Sequence, residues 1–246
     1  GMRPTFTRVS RFGMTHMCWF MDTAAPMTKT VEDCAKVLGA IAGYDPKDPY
    51  SSRKDVPDYT QELKRGIAGL RIAVIRELYN HNDMDADVRS SIQDSLNVFR
   101  ELGAEIKEVS IPLVELAGAI FVGIADTEGA GARDEILRNR PLDLDPASRT
   151  RLQSAALVPH KIYNRAAKAR VLLRRQFMEA LKETDVLVSP TSPYPAPLHT
   201  SLTAKFDSAD DVRNRFFFRR AYTGCYALTA LPAISIPGGF TKDNLP

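Results

Sequence analysis

The stretch from Leu70 to Ile111 leaves this chain few folds to choose from. Leu70–Ile75 (LRIAVI) is a short apolar run preceded by Gly66 and Gly69, and its β-branched content predicts a buried strand. Asp85–Leu102 places Val88, Ile92, Leu96 and Phe99 on one face of a helix, with Gly103 positioned as its stop. Glu105–Ile111 (EIKEVSI) then alternates apolar with polar, as a strand with one wet face does. Two strands joined by a helix of this length lie parallel with a right-handed crossover. The class is therefore α/β.

Upstream, Pro4, Gly13 and Pro26 punctuate an extended connector that cannot be helical throughout. Thr30 is placed to cap a helix by accepting from the backbone N–H of Asp33, and Glu32 and Asp33 suit the positive end of that helix. Val31, Cys34, Ala35, Leu38, Ile41 and Ala42 recur at helical spacing, and the helix is expected to end at Gly43. Tyr44–Pro57, with three prolines among polar residues, reads as a surface loop.

Downstream, Leu113–Glu135 is apolar and rich in Gly and Ala, a closely packed helical region. Among its acids, Asp126, Glu128 and Asp134 are expected to cap or to face water, since no partner base sits at a useful spacing. Asn139–Pro146 reads as a turn. Ala147–Lys182 reads as one long helix or two broken near Pro159, with Ile162, Ala166, Ala169, Leu173, Phe177 and Ala180 as its apolar stripe. Lys161, Arg165, Lys168 and Arg175 form a basic face, which without interleaved aromatics reads as solvated rather than as a nucleic-acid surface.

Asp185–Ser189 is a buried-strand candidate that runs into PTSPYPAP, where four prolines enforce a rigid extended exit. Loops at the carboxyl ends of strands line the ligand crevice in open α/β sheets, so this loop is the best local candidate for a pocket wall. Leu198–Asp207 reads as a polar connector. Ser208 with Asp211 resembles a capping box and opens a helix that Pro232 ends. Ala233–Pro237 is expected to be the last strand.

Composition excludes several function classes. Hydrophobic residues at 44% and charged residues at 26% argue against disorder, and the net charge of +3, dispersed along the chain, argues for no charge-driven partner. Cys18, Cys34 and Cys225 have neither disulfide-framework nor zinc spacing, which fits a reducing, cytoplasmic setting. No apolar run is long enough to suggest a membrane span, and the first twenty residues lack a signal-peptide layout. There is no G-x-S-x-G elbow, no phosphate-binding glycine loop and no H-E-x-x-H. His16, His81, His160 and His199 are scattered. Ser189, Thr191 and Ser192 lack a neighbouring Lys or His to activate them.

Five segments carry a resemblance to a known family. They are Gly1–Thr5 (G-x-[KR]-P-T), Arg8–Gly13 (R-V-S-R-x-G), Asp22–Asp48 (D-x-x-x-P-M-T-[KR]-T-V-x-D, then a helix closing on A-G-x-D-P-x-D), Asp185–Pro197 (D-V-L-V-x-P-T-x-P-x-P-A-P) and Leu231–Thr241 (L-P-A-I-S-I-P-G-G-F-T). In this order they closely resemble the amidase signature family. The resemblance covers nearly the whole chain. It implies an α/β/α sandwich around a mixed β-sheet, here one domain over residues 1–246 that is incomplete at both ends. It implies an amidohydrolase that uses a serine, a second serine and a lysine, all upstream of the position equivalent to Gly1. No catalytic residue can be assigned within the chain, which is expected to be inactive alone.

The same resemblance implies no cofactor and no metal, a small-molecule amide as substrate, no nucleic-acid or membrane partner, and leaves a homodimer open. Its implied substrate-binding residues are Thr191, Ser192, Pro193 and Tyr194 of the proline loop with Arg219 and Tyr222 of the last helix. Where the amidotransferase subunits of the family hold the glutamine amine with an acidic residue, this chain has Arg220, which argues against glutamine. Ala227, Cys225 and Ala230 also depart from that helix's usual asparagine, proline and glycine. The competing readings are a non-catalytic scaffold or ligand-binding domain, and the glutaminase component of a tRNA-dependent amidotransferase.

Overall fold

A computed structural model describes residues 1–197 and 207–246, so the expected connector at Leu198–Asp207 lies almost wholly outside the described residues. The described chain forms two compact units: Gly1–Thr60, Ala119–Val171 and Tyr226–Ile234 in the first; Gln61–Gly118, Leu172–Cys225 and Ser235–Pro246 in the second.

The second unit is built on the expected strand–helix–strand. Strand β2 (Arg71–Ile75) is parallel to β3 (Glu105–Val109), with Ile72 opposite Ile106 and Val74 opposite Glu108. On its other side β2 pairs, again in parallel, with β4 (Val186–Val188), giving the order β3-β2-β4. Position in the sheet decides burial. Central β2 buries Ile72 to Ile75 almost completely, whereas Val186 of β4 stays 39% exposed, so β4 is a half-covered edge rather than the buried strand its sequence predicts. A run of three apolar residues cannot reveal which edge of a sheet it will occupy.

After β2 the chain enters the one-turn helix α2 (Arg76–Tyr79) and then α3 (Ala86–Glu101). Asp85 caps α3 with its carboxylate, which accepts from Asp87 N at 2.8 Å. Leu96 is its deepest contact, and Gly103 at φ +87° makes the left-handed stop that a side chain would oppose. A 3₁₀ turn over Pro112–Leu116 follows β3.

In the first unit, β1 (Met2–Arg3) is antiparallel to β5 (Ala233–Ile234), a shorter final strand than Ala233–Pro237. Helix α1 (Val31–Ile41) starts as expected, Thr30 Oγ1 accepting from Asp33 N at 3.0 Å, and ends two residues before Gly43. Only Cys34 and Leu38 of its apolar positions are buried. The first opening motifs are stapled to each other. The Arg11 amide donates to Asp48 at 2.9 Å, Ser10 Oγ donates to Asp45 at 2.6 Å, and the buried Arg11 guanidinium sits 4.7 Å from the Phe6 ring and 5.3 Å from those of Trp19 and Tyr50. These motif residues build structure.

Helices α4 (Ala117–Ala132), α5 (Asp134–Asn139), α6 (Pro146–Ala156) and α7 (His160–Ala180) follow, with the break at Pro159 where the sequence places it. Two acids of α4 do not behave as surface residues. Asp126 is buried and takes a two-pronged hydrogen bond from Arg151 of α6, its Oδ2 accepting from Nε at 2.9 Å. Glu128 accepts from the Trp19 amide at 2.8 Å and the Tyr163 hydroxyl at 2.9 Å. Asp134 is solvated as expected, beside Arg138. The α7 stripe is as expected at Ala166, Leu173 and Phe177, which are buried, and departs only at its first residue: Ile162 is 45% exposed, and Tyr163 takes its place toward the interior. The basic face of α7 is exposed. Among the described residues no helix is long and apolar enough to cross a membrane.

Candidate active site

The proline loop leaves the carboxyl end of β4 and is held by its own hydroxyls. Ser192 Oγ donates to Tyr194 O at 2.7 Å and accepts from Tyr194 N at 3.2 Å, closing a tight local turn. Pro193 is fully buried, and its carbonyl accepts from the amide of Asp85, the residue that caps α3. The loop is thereby clamped to the start of a helix. Thr191 is exposed, and its hydroxyl lies 2.9 Å from that of Ser235, so the proline loop and the residue that begins the S-I-P-G-G-F-T segment meet through two hydroxyls.

The last helical run begins at Ser208, whose hydroxyl accepts from Asp211 N at 3.0 Å as the capping pattern predicts. A single turn, α8 (Ala209–Asp211), passes into a π-helical segment over Val212–Phe218 and then into α9 (Arg219–Thr229). No periodicity signals that change of winding. The segment makes a close tertiary contact: Phe217 O approaches Gly118 so closely that a Cβ there would sit 1.7 Å away. A wider turn accommodates the approach, and only glycine at 118 permits it.

The six expected substrate residues fall in the second unit and separate into three kinds. Thr191, Ser192, Pro193 and Tyr194 form one turn. Tyr222 is fully buried; its hydroxyl donates to Leu78 O at 2.9 Å, and burial, followed by the neighbouring Tyr194, pushes its pKa up. Tyr222 is therefore a core residue whose hydroxyl is committed to the backbone of α2. Arg219 points to solvent. Arg220 donates to Phe216 O at 2.6 Å and lies 3.8 Å from the Phe216 ring.

An open cavity of about 650 Å³ lies at the carboxyl ends of β2 and β3, lined among others by Arg76, Asn80, His81, Glu115 and Asn214. On its floor, Glu77 accepts from Ser110 Oγ at 2.5 Å and Ile111 N at 2.9 Å. Burial pushes the Glu77 carboxyl up, but these two donors outweigh it and hold it below its ordinary value. Sequence reasoning misses this cavity, because its residues come from three separate stretches of chain with no shared spacing. Among the described residues no cluster of His, Cys, Asp and Glu could hold a metal ion.

The strand-and-proline loop and the serine-bearing final segment thus belong to the α/β second unit, and the stapled opening motifs to the first. A family model described as Amidase matches residues 1–246. The chain belongs to the amidase family. This amidase-family chain is 34% identical over 270 residues to the A subunit of the glutamyl-tRNA(Gln) amidotransferase of Desulfotalea psychrophila, covering 100% of the chain and 54% of that relative. It is 33% identical over 248 residues to an amidase of Pseudomonas putida, covering 99% of the chain and 52% of the relative. Among solved structures it resembles the A subunit of the glutamyl-tRNA(Gln) amidotransferase of Thermotoga maritima, with a TM-score of 0.82, 28% identity, and coverage of 100% of the chain and 52% of the other. The chain spans about half the length of the relatives it matches.

Proposed function

We propose that the protein is an amidohydrolase that cleaves a small-molecule amide to an acid and ammonia or an amine. The match of the Amidase model to residues 1–246 carries this reading. In the mechanism we propose, a lysine acting through a middle serine takes the proton of a nucleophilic serine. That serine attacks the amide carbonyl, and backbone N–H groups hold the resulting oxyanion. The amine leaves with a proton, and water then releases the acid and restores the serine. In this reading the Ser-Ser-Lys set precedes the position of Gly1, and residues 1–246 supply frame and wall: Thr191, Ser192 and Tyr194 face the substrate, the buried Pro193 and Tyr222 support them, and Arg219 stands at the rim.

A glutamine-specific role is less well supported, although the relatives include amidotransferase subunits. The guanidinium of Arg220 donates to Phe216 O, lies against the Phe216 ring and supplies no negative charge for an amine. The test compares the 246-residue chain with the same chain preceded in frame by a lysine and Gly/Ser-rich segment of an amidase relative. Turnover of an aryl amide is expected only from the longer protein, and replacing its nucleophilic serine by alanine abolishes it. Turnover by the 246-residue chain that persists through repurification would overturn the proposal.

A further inference from the structure

The π-helical turn is held from one side by an imidazole. His81, in the turn between α2 and α3, stacks on Phe218 with ring centroids 3.7 Å apart and an interplanar angle of 18°. Phe218 in turn meets Tyr222 edge-on at 5.4 Å. His81 Nδ1 accepts from the Asp83 amide at 3.3 Å, an arrangement that requires the ring proton to be on Nε2. The backbone of the same turn is fixed by Arg89 of α3, which donates to His81 O at 2.8 Å and to Tyr79 O at 3.1 Å.

We propose that His81 is a proton-operated latch: neutral, and oriented by the Asp83 hydrogen bond, it holds the Val212–Phe218 turn through the Phe218 stack, and protonated, it loses that orientation and lets the turn open. Protonation puts a hydrogen on Nδ1, where the Asp83 N–H already points, so an acceptor becomes a second donor and the bond is lost. It also places a charge on a half-buried ring. The groups around the ring act in both directions. Burial is the largest influence and lowers the His81 pKa; Asp83 on its own turn and Glu115 of the 3₁₀ turn raise it; Arg89 lowers it. Arg76 and Glu77 of α2 line the same cavity but largely cancel, 3.6 Å apart, and Asn214 of the π-helical segment is uncharged.

The closed turn therefore prefers the neutral ring, while an opened turn leaves it near its ordinary value. The closed state is fully favoured above that ordinary value and loses ground as pH falls below it. Arg219 and Tyr222 follow directly on the latched turn. Any consequence for substrate rests on the wall assignment proposed above, but the latch is read without substrate, so its failure and the failure of that assignment are distinguishable.

The test is amide hydrogen exchange of the 246-residue chain, followed in peptides covering 208–222 and corrected for intrinsic exchange. Protection in this segment is expected to fall by about threefold or more between roughly pH 7.5 and pH 5. His81→Gln keeps a planar acceptor that does not titrate, and it removes that pH dependence. Because the variant could disturb folding, imidazole C–H resonances of the unsubstituted chain give a second readout, with the His81 midpoint below 6.5. Protection that does not change with pH, pH dependence that survives in His81→Gln, or a His81 midpoint at or above the ordinary histidine value each overturns the latch.

Discussion

Two arginine–aspartate clamps with the same geometry hold different parts of this molecule. In the first unit Arg151 of α6 grips Asp126 of α4, and in the second Arg71 of β2 grips Asp185 at the start of β4, in each case with Nε and a terminal nitrogen on the two carboxylate oxygens. What differs is water. The Asp126 side chain is 5% exposed and the Asp185 side chain 37%. Geometry alone makes both look equally strong, but a buried carboxylate depends on its partner in a way that a hydrated one does not.

The largest effect is expected from Arg151→Ala, which leaves the Asp126 carboxylate buried without its partner. A loss of about 2–3 kcal/mol in chemical denaturation is expected, less than for a wholly buried pair because Arg151 is itself part-exposed. Arg151→Lys keeps the charge but loses the two-pronged geometry and is expected to cost about 1 kcal/mol. A cost near zero for both would erase the distinction between the clamps.

Acidification separates the clamps next. Hydrogen bonds from the Arg71 side chain and then its backbone amide hold the Asp185 carboxyl down to about 2. A depressed carboxylate contributes stability above its unfolded value, and that contribution is lost as pH falls toward the folded one. The Asp185 titration followed by NMR is therefore expected to lie below the usual carboxylate range, and Arg71→Ala to raise it only part of the way, because the backbone amide of residue 71 still donates to Asp185. A midpoint in the ordinary carboxylate range in the unsubstituted chain would show that the clamp does not form in solution.

The smallest shift expected at neutral pH comes from Arg71→Ala itself, with thermal unfolding within the scatter of an ordinary surface substitution. A destabilisation matching that of Arg151→Ala would mean that β4 is covered in solution.

Neither clamp is legible in the sequence, for a reason that also separates the readable parts of the fold from the rest. Thr30, Asp85 and Ser208 each cap a helix within three residues of themselves, so local spacing is enough to find them. The parallel β2–β3 pair follows from one helix length, and the break at Pro159 from one residue. Asp126 meets Arg151 across 25 residues and Arg71 meets Asp185 across 114, and no local pattern records such meetings. The acids Asp126 and Glu128 of α4 read as solvated for the same reason; the one clue is their isolation in an otherwise apolar helix.

The site divides along the same line. The proline loop announces itself, because four prolines leave the backbone little choice. The approach of the Phe217 carbonyl to Gly118 and the stack of His81 on Phe218 each join residues distant in sequence. Ala230 shows a departure whose cost becomes visible only in three dimensions. It adopts φ +57°, a conformation that suits the glycine the resemblance places there. Ala230→Gly is accordingly expected to stabilise the chain by about 1 kcal/mol, measured as an upward shift in melting temperature.

The most direct test of acyl transfer with a wall supplied by this chain is covalent capture. The protein carrying the upstream lysine and Gly/Ser-rich segment would be treated with an aryl fluorophosphonate, digested, and mapped by mass spectrometry. A single adduct on a serine preceding the position of Gly1, with Ser189 and Ser192 unmodified, is the expected result. An adduct on Ser189 or Ser192 would contradict it, placing the nucleophile in the proline loop itself.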